Sequence, residues 1–381
     1  MRTQRAARIG NLKPLAALLF LAAAGQQAVS GAPAAAEASA PQSYVDADGT
    51  AHLPAMSVPA SAFMSPESRR KFIALFSNHK ATAPGAAADL RLLREQDEQK
   101  NAPFVARAKI LYPVNIEPKL IGGVHTEVIT PKSGVTAANR TRVLINLHGG
   151  GFIWGEGNGA RSESIPIAGL GRITVVTVAY RLGPESTFPA ASEDVAAVYR
   201  ELLKDHRAVD IGIYGCSAGG ILTAESVAWF EKQGLPIPGA IGTFCGSLAP
   251  LQGDSSHLAS PLVGELPPPG AGSGSLDSPY FKGASAADPL VLPINSPRVL
   301  ARFPPTLLIA GSRDFTVSSL FRAQAALTEA GVEAQLHVWD GMWHAFFMDP
   351  DLPESQEVYR VVVNFFDRHL GASRQAPSSG P

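Results

Sequence analysis

Cysteine is nearly absent from this chain: Cys216 and Cys245 are the two present in 381 residues. Two thiols cannot build a disulfide framework, so the fold must rest on a buried core, and both are expected to be reduced and structural. Charge is scarce as well. Asp, Glu, Lys and Arg make up 17% of the chain and nearly cancel, leaving a formal −1. That balance offers no basic surface for nucleic acid and no attraction to an anionic membrane. No apolar run reaches the ~20 residues that cross a bilayer, so stable membrane insertion is not expected. The nine histidines are scattered and no H-E-x-x-H helix occurs, which removes the common zinc-hydrolase pattern. Neither a metal nor an organic cofactor is expected.

Arg2, Arg5, Arg8 and Lys13 precede the apolar stretch Leu15–Ala24. Small residues follow, as Ala28-Val29-Ser30 before Gly31 or Ala34-Ala35-Ala36 before Glu37. Basic, apolar, then small is the order of a secretory signal, so residues 1–30 are expected to be one, cleaved after 30 or 36. A periplasmic or secreted protein follows from that, more acidic once the basic segment is lost. No cysteine lies in the first 45 residues, so a lipid anchor attached through cysteine is not expected. Residues 31–42 read as a low-complexity linker and 371–381 as a disordered tail.

Residues 43–108 are expected to form an N-terminal helical cap or scaffold. Ser65-Pro66-Glu67 supplies an N-cap, a first-turn proline and an acid suited to the helix dipole. Phe72, Leu75 and Phe76 give that helix an apolar face. Over 109–370 the pattern changes to strands alternating with helices. Strands are predicted at 143–147, 173–179, 211–214, 240–244, 306–310 and 334–339, and helices at 192–204, 219–232, 320–330 and 354–370. Buried strands alternating with helices specify an α/β fold, a mostly parallel sheet covered on both faces. The stretch 250–297 breaks the rhythm with Pro, Gly and Ser, including Leu266–Gly274, and reads as a lid-like insertion.

Three motifs agree on one chemistry. Gly215-Cys216-Ser217-Ala218-Gly219 stands between a predicted strand and a predicted helix, the setting of a nucleophile elbow. Its glycines allow the tight turn that lifts the Ser217 hydroxyl above the strand ends. Cys216 is expected to point away from the site. His148-Gly149-Gly150-Gly151-Phe152 follows another strand and suits a loop of N–H donors for a developing oxyanion. Gly150, Gly151 and Ala218 are assigned as those donors. Asp314 follows the strand at 306–310 and His344 follows the last strand, giving the chain order Ser217, Asp314, His344 expected of a nucleophile, orienting acid and base. Asp340 is the rival acid, nearer His344 in sequence.

These residues resemble the hormone-sensitive-lipase-like esterases of the α/β-hydrolase superfamily. Tyr180-Arg181-Leu182-Gly183-Pro184-Glu185, Phe188-Pro189-Ala190, Asp194, Phe303-Pro304-Pro305-Thr306 and Ala330-Gly331-Val332 match the family's further stretches. The resemblance spans roughly residues 110–370. It implies an α/β-hydrolase fold with a small cap, formed by the N-terminal helices and residues 250–290, over an acyl pocket. It also implies a serine carboxylesterase whose partner is a small-molecule ester. Departures occur at Cys216, at Phe315-Thr316 in place of proline-leucine, and at Ala345 in place of glycine. A lactonase, an amidase or a carbohydrate deacetylase would use the same groups, and a non-catalytic receptor would keep the scaffold alone. The proline and glycine content of 250–297 argues against an amphipathic lid helix, hence for short-chain, water-soluble esters. Oligomeric state stays open.

Overall fold

The computed structural model describes residues 43–77, 89–263 and 278–371. The expected signal segment and linker, and all but Gly371 of the expected tail, lie outside the described residues. Described residues 43–57 belong to a unit of their own, in which a hairpin pairs β1 (Tyr44–Val45) with β2 (Ala51–His52) antiparallel. The stretch read as helical therefore opens with strands.

From Val58 onward the chain forms one compact unit. It opens with α1 (Pro66–Phe76), the helix read from Ser65-Pro66-Glu67, and α2 (Leu90–Leu111). Ser65 caps α1 by accepting the Ser68 N–H, and Asp89 caps α2 through Arg91. Then follow β3 (Val114–Ile121), β4 (Val124–Pro131), β5 (Val143–Leu147), α3 (Asn158–Gly171) and β6 (Thr174–Val178). Next come α4 (Ala190–Leu202), β7 (Ile211–Cys216), α5 (Ala218–Lys232), β8 (Ala240–Phe244), α6 (Asp254–Val263) and α7 (Pro297–Leu300). The chain closes with β9 (Thr306–Gly311), α8 (Val317–Glu329), β10 (Ala334–Trp339) and α9 (Pro353–His369).

Eight strands make one sheet in the order β10-β9-β8-β7-β5-β6-β4-β3. The six from β10 to β6 run parallel, and β4 and β3 add an antiparallel edge. Along β5 the side chains alternate between two cores. Ile145 packs with Val195 and Tyr199 of α4, Leu222 and Phe230 of α5, and Leu320 and Leu327 of α8. Leu144 faces the other side, with Ile165 and Ala168 of α3 and Val358, Val362, Phe365 and Phe366 of α9. Both faces being covered, the strands carry no polar alternation, and this is why they read as short apolar runs.

Three elements depart from the sequence reading. The β3–β4 hairpin turns at Gly122-Gly123, with φ of 60° and 81°, the left-handed pair that a two-residue hairpin turn needs. Helix α3 runs through Pro166, and glycines crowd its start, so its apolar period is hard to see. The stretch 250–297, read as one lid-like loop, contains α6 and docks where it is described: Tyr280, Phe281, Val291 and Leu292 are all buried in the first core. Its proline- and glycine-rich tract at 264–277 lies outside the described residues.

Candidate active site

The serine turn, the glycine loop, Asp314 and His344 each follow the carboxyl end of a parallel strand, β7, β5, β9 and β10, where an open α/β sheet presents its crevice. Ser217 sits between β7 and α5 with φ 57° and ψ −120°, a conformation L-residues rarely hold. The turn is fixed on both sides. The Ser217 N–H donates to the Phe244 carbonyl at 2.7 Å, and its carbonyl accepts from Ile221 at 3.1 Å. Gly219 is required by contact: a Cβ there would lie 1.7 Å from the Leu147 carbonyl oxygen. Ala218 is the first residue of α5, so its N–H stands at the positive end of that helix.

The loop after β5 lies against this turn. A Cβ built on Gly149 would be 3.4 Å from the Ser217 Cβ. Gly150 and Gly151 both hold positive φ, 108° and 62°. His148 beneath them is buried, its Nδ1 2.7 Å from the Gly149 carbonyl and its ring stacked on Tyr180 at 4.3 Å. Burial pushes its pKa down to about 4, so at neutral pH it is an uncharged spacer. Helix α2 braces the same loop from outside. Arg94 donates to the Ile153 carbonyl at 2.8 Å, and Glu98 accepts the Asn158 N–H at 2.7 Å.

Asp314 and His344 meet at the ends of β9 and β10, with Oδ1 2.9 Å from Nδ1. The same Oδ1 accepts the Thr316 N–H at 2.8 Å and the Thr316 hydroxyl at 2.9 Å. Burial opposes the Asp314 charge, but His344, Thr316 and the Cys245 thiol outweigh it and hold the carboxyl below its usual range. Phe315 stacks on the His344 ring at 4.5 Å. The two family departures after the acid therefore both contact the pair: Thr316 solvates the carboxylate and Phe315 covers the imidazole. Asp340, the rival acid, is held by Ser61 at 2.5 Å and Ser312 at 2.9 Å near the surface.

Neither thiol reads as a nucleophile. Burial pushes Cys216 up to about 11 and Cys245 well above the usual thiol range, so both keep their protons. Donor atoms of Cys245, Asp314 and His344 lie within 4.8 Å of one another, the one such cluster among the described residues. A protonated thiol beside an Asp–His pair already bonded to each other suits a hydrogen-bond donor to the carboxylate better than a metal ligand. The roles of Cys245, Thr316 and the α2 residues escaped the sequence reading because each depends on neighbours that only the fold supplies, with no motif of its own. Glu163 on α3 escaped it too: its carboxyl, 5% exposed, accepts the Gly149 N–H and the Asn146 amide.

Over residues 144–348, more than half of its length, the sequence matches the family described as having the alpha/beta hydrolase fold. The chain belongs to that family. Among its relatives is an acetyl-hydrolase of Streptomyces hygroscopicus, 27% identical over 60% of this chain and 77% of the relative. An esterase of Acinetobacter venetianus is 25% identical over 66% of this chain and 82% of its own. Among solved structures, this hydrolase resembles an esterase, E25, with TM-score 0.70 and 27% identity over 84% of this chain and 98% of the other. It resembles equally an esterase of the bacterial hormone-sensitive lipase family, with TM-score 0.70 and 26% identity over 81% and 99% of the two chains. The hormone-sensitive-lipase-like character read from its motifs agrees with these neighbours.

Proposed function

We propose that this hydrolase, which acts on ester bonds, is a serine carboxylesterase working through Ser217, Asp314 and His344 on short-chain, water-soluble esters. The observation that carries the reading is the 2.9 Å Asp314–His344 contact at the same sheet edge as a serine held in a left-handed turn at a helix start. His344 takes the proton of Ser217 as the hydroxyl attacks the ester carbonyl, and Asp314 fixes the imidazole tautomer and faces the imidazolium that forms. The N–H groups of Gly150, Gly151 and Ala218 receive the oxyanion. His344 then hands its proton to the leaving alcohol, and water repeats the sequence on the acyl-enzyme. The acyl group is taken as short because a relative is named an acetyl-hydrolase.

Hydrolysis of p-nitrophenyl esters from acetate to palmitate, with Ser217→Ala alongside, tests this. Activity concentrated on the shortest chains and abolished by the substitution is expected. Palmitate preferred over acetate would remove the short-chain part, and an active Ser217→Ala the whole. Export is part of the same proposal, supported by the basic–apolar–small order of residues 2–36. Fractionation of a Gram-negative host should place the shortened chain in the periplasm; a full-length cytoplasmic product would contradict it.

A further inference from the structure

An oxyanion site assembled from two loops works only if those loops keep their spacing to a fraction of an ångström. Here one loop follows β5 and the other follows β7, and one carboxyl bonds the first where it lies against the second. Glu163 Oε1 accepts the Gly149 N–H at 2.9 Å, and Oε2 accepts the Asn146 Nδ2 at 2.9 Å. The Cys216 N–H, one residue before Ser217, faces the same carboxyl. A Cβ on Gly149 would lie 3.0 Å from the Cys216 carbonyl oxygen, 3.4 Å from the Ser217 Cβ and 3.5 Å from Glu163 Oε1. Loop, turn and carboxyl therefore meet at a single point. Arg94 and Glu98 already brace the far half of the loop, at Ile153 and Asn158. Glu163 does the same for its near half, where the donors are.

We propose that Glu163 is a positioning residue, clamping the oxyanion loop to the nucleophile turn and acting on the reaction through the N–H groups of Gly150, Gly151 and Ala218. The inference rests on the serine-esterase reading above. A buried acid is useful here only while it is neutral, because a charge behind the loop would oppose the oxyanion. Burial pushes Glu163 up to about 8, which keeps it mostly protonated at neutral pH. The titratable groups facing it are Asp97 of α2, Tyr180 after β6, and Tyr214 and Cys216 of β7. None of these is a cation, and neighbouring His148 is uncharged, so only the Asn146 amide and the Gly149 and Cys216 N–H groups offset Glu163 once it ionises.

The test compares Glu163→Ala and Glu163→Gln in the full chain, with p-nitrophenyl acetate as substrate and a trifluoromethyl ketone as an oxyanion-forming inhibitor. Glu163→Ala should lower kcat by roughly 10²-fold, the size of losing one oxyanion donor, while KM stays within about threefold. Trifluoromethyl ketone affinity should fall by the same factor as kcat. Glu163→Gln, neutral and of the same shape, should recover most of kcat and lack the fall in kcat/KM above pH ~8 that is expected of the wild type. A folded Glu163→Ala with unchanged kcat and inhibitor affinity would overturn the proposal. If that variant does not fold, the Gln variant decides: an alkaline fall identical to wild type overturns it, and its loss supports it. Ser217→Ala is measured in parallel. Its inactivity leaves the serine reading standing whichever way Glu163 behaves, and its activity would sink that reading instead.

Discussion

Asp314 and Glu225 are both fully buried carboxyls, and their surroundings drive them in opposite directions. Asp314 gains His344 and Thr316 and is held below the usual range. Glu225, inside α5, has no hydrogen-bond partner on either oxygen among the described residues, and burial alone raises it well above its ordinary 4.5. Glu163 is likewise raised, to about 8. Raised carboxyls bind a proton in the folded state that the unfolded chain has released, so they stabilise fully below the ordinary pKa and lose that contribution as pH climbs through the folded one. For Glu163 the window runs from 4.5 to about 8, and for Glu225 from 4.5 upward. Thermal melts should therefore show stability falling from pH 5 to pH 8, with a shallower slope in Glu225→Gln. An unchanged slope in that variant would contradict the assignment. Asp314 acts in a separate window, losing its contribution only below pH ~4.

One acid at the start of α9 bonds helix α1 to the body at three points. Glu354 accepts the Ser65 N–H at 2.6 Å, the Ser65 hydroxyl at 2.9 Å and the Ser68 hydroxyl at 2.5 Å. The N-cap residue of α1 is thus shared with a second helix. Removing the acid strands three donors, so Glu354→Ala should cost about 2–3 kcal/mol in denaturant unfolding while sparing the Asp314–His344 pair. A loss below about 0.5 kcal/mol would show that the apolar face of α1 and the Lys71–Asp349 ion pair hold it without Glu354. The sequence revealed that cap, since Ser-Pro-Glu before an apolar period is a local signal. It did not reveal the partner, since Glu354 lies 286 residues from Ser68. For the same reason α3 and the β3–β4 hairpin were harder to read than β5 or β9. Their glycines and prolines satisfy close packing and turns that only the folded neighbours impose.

Across the whole molecule, the parallel strands and the groups at their ends were legible because the chemistry demands residue types in a fixed local setting. The turn around Ser217, the glycine loop at 149–151 and the order serine, acid, base all survive in linear sequence. The supports do not: Glu163 reaches Gly149 from 14 residues away, and Cys245 reaches Asp314 only because β8 and β9 are neighbours. Within the stretch 250–297, read as a lid-like insertion, the sequence did not show that Tyr280 and Phe281 pack their rings on Phe152 at 4.7 and 5.0 Å beside the glycine loop. The most direct measurement is fluorophosphonate labelling and p-nitrophenyl acetate hydrolysis by the wild type and Ser217→Ala. Hydrolysis and labelling that both vanish in the variant are the predicted result. A folded wild type that neither hydrolyses nor labels, or a variant that does both, would contradict the account.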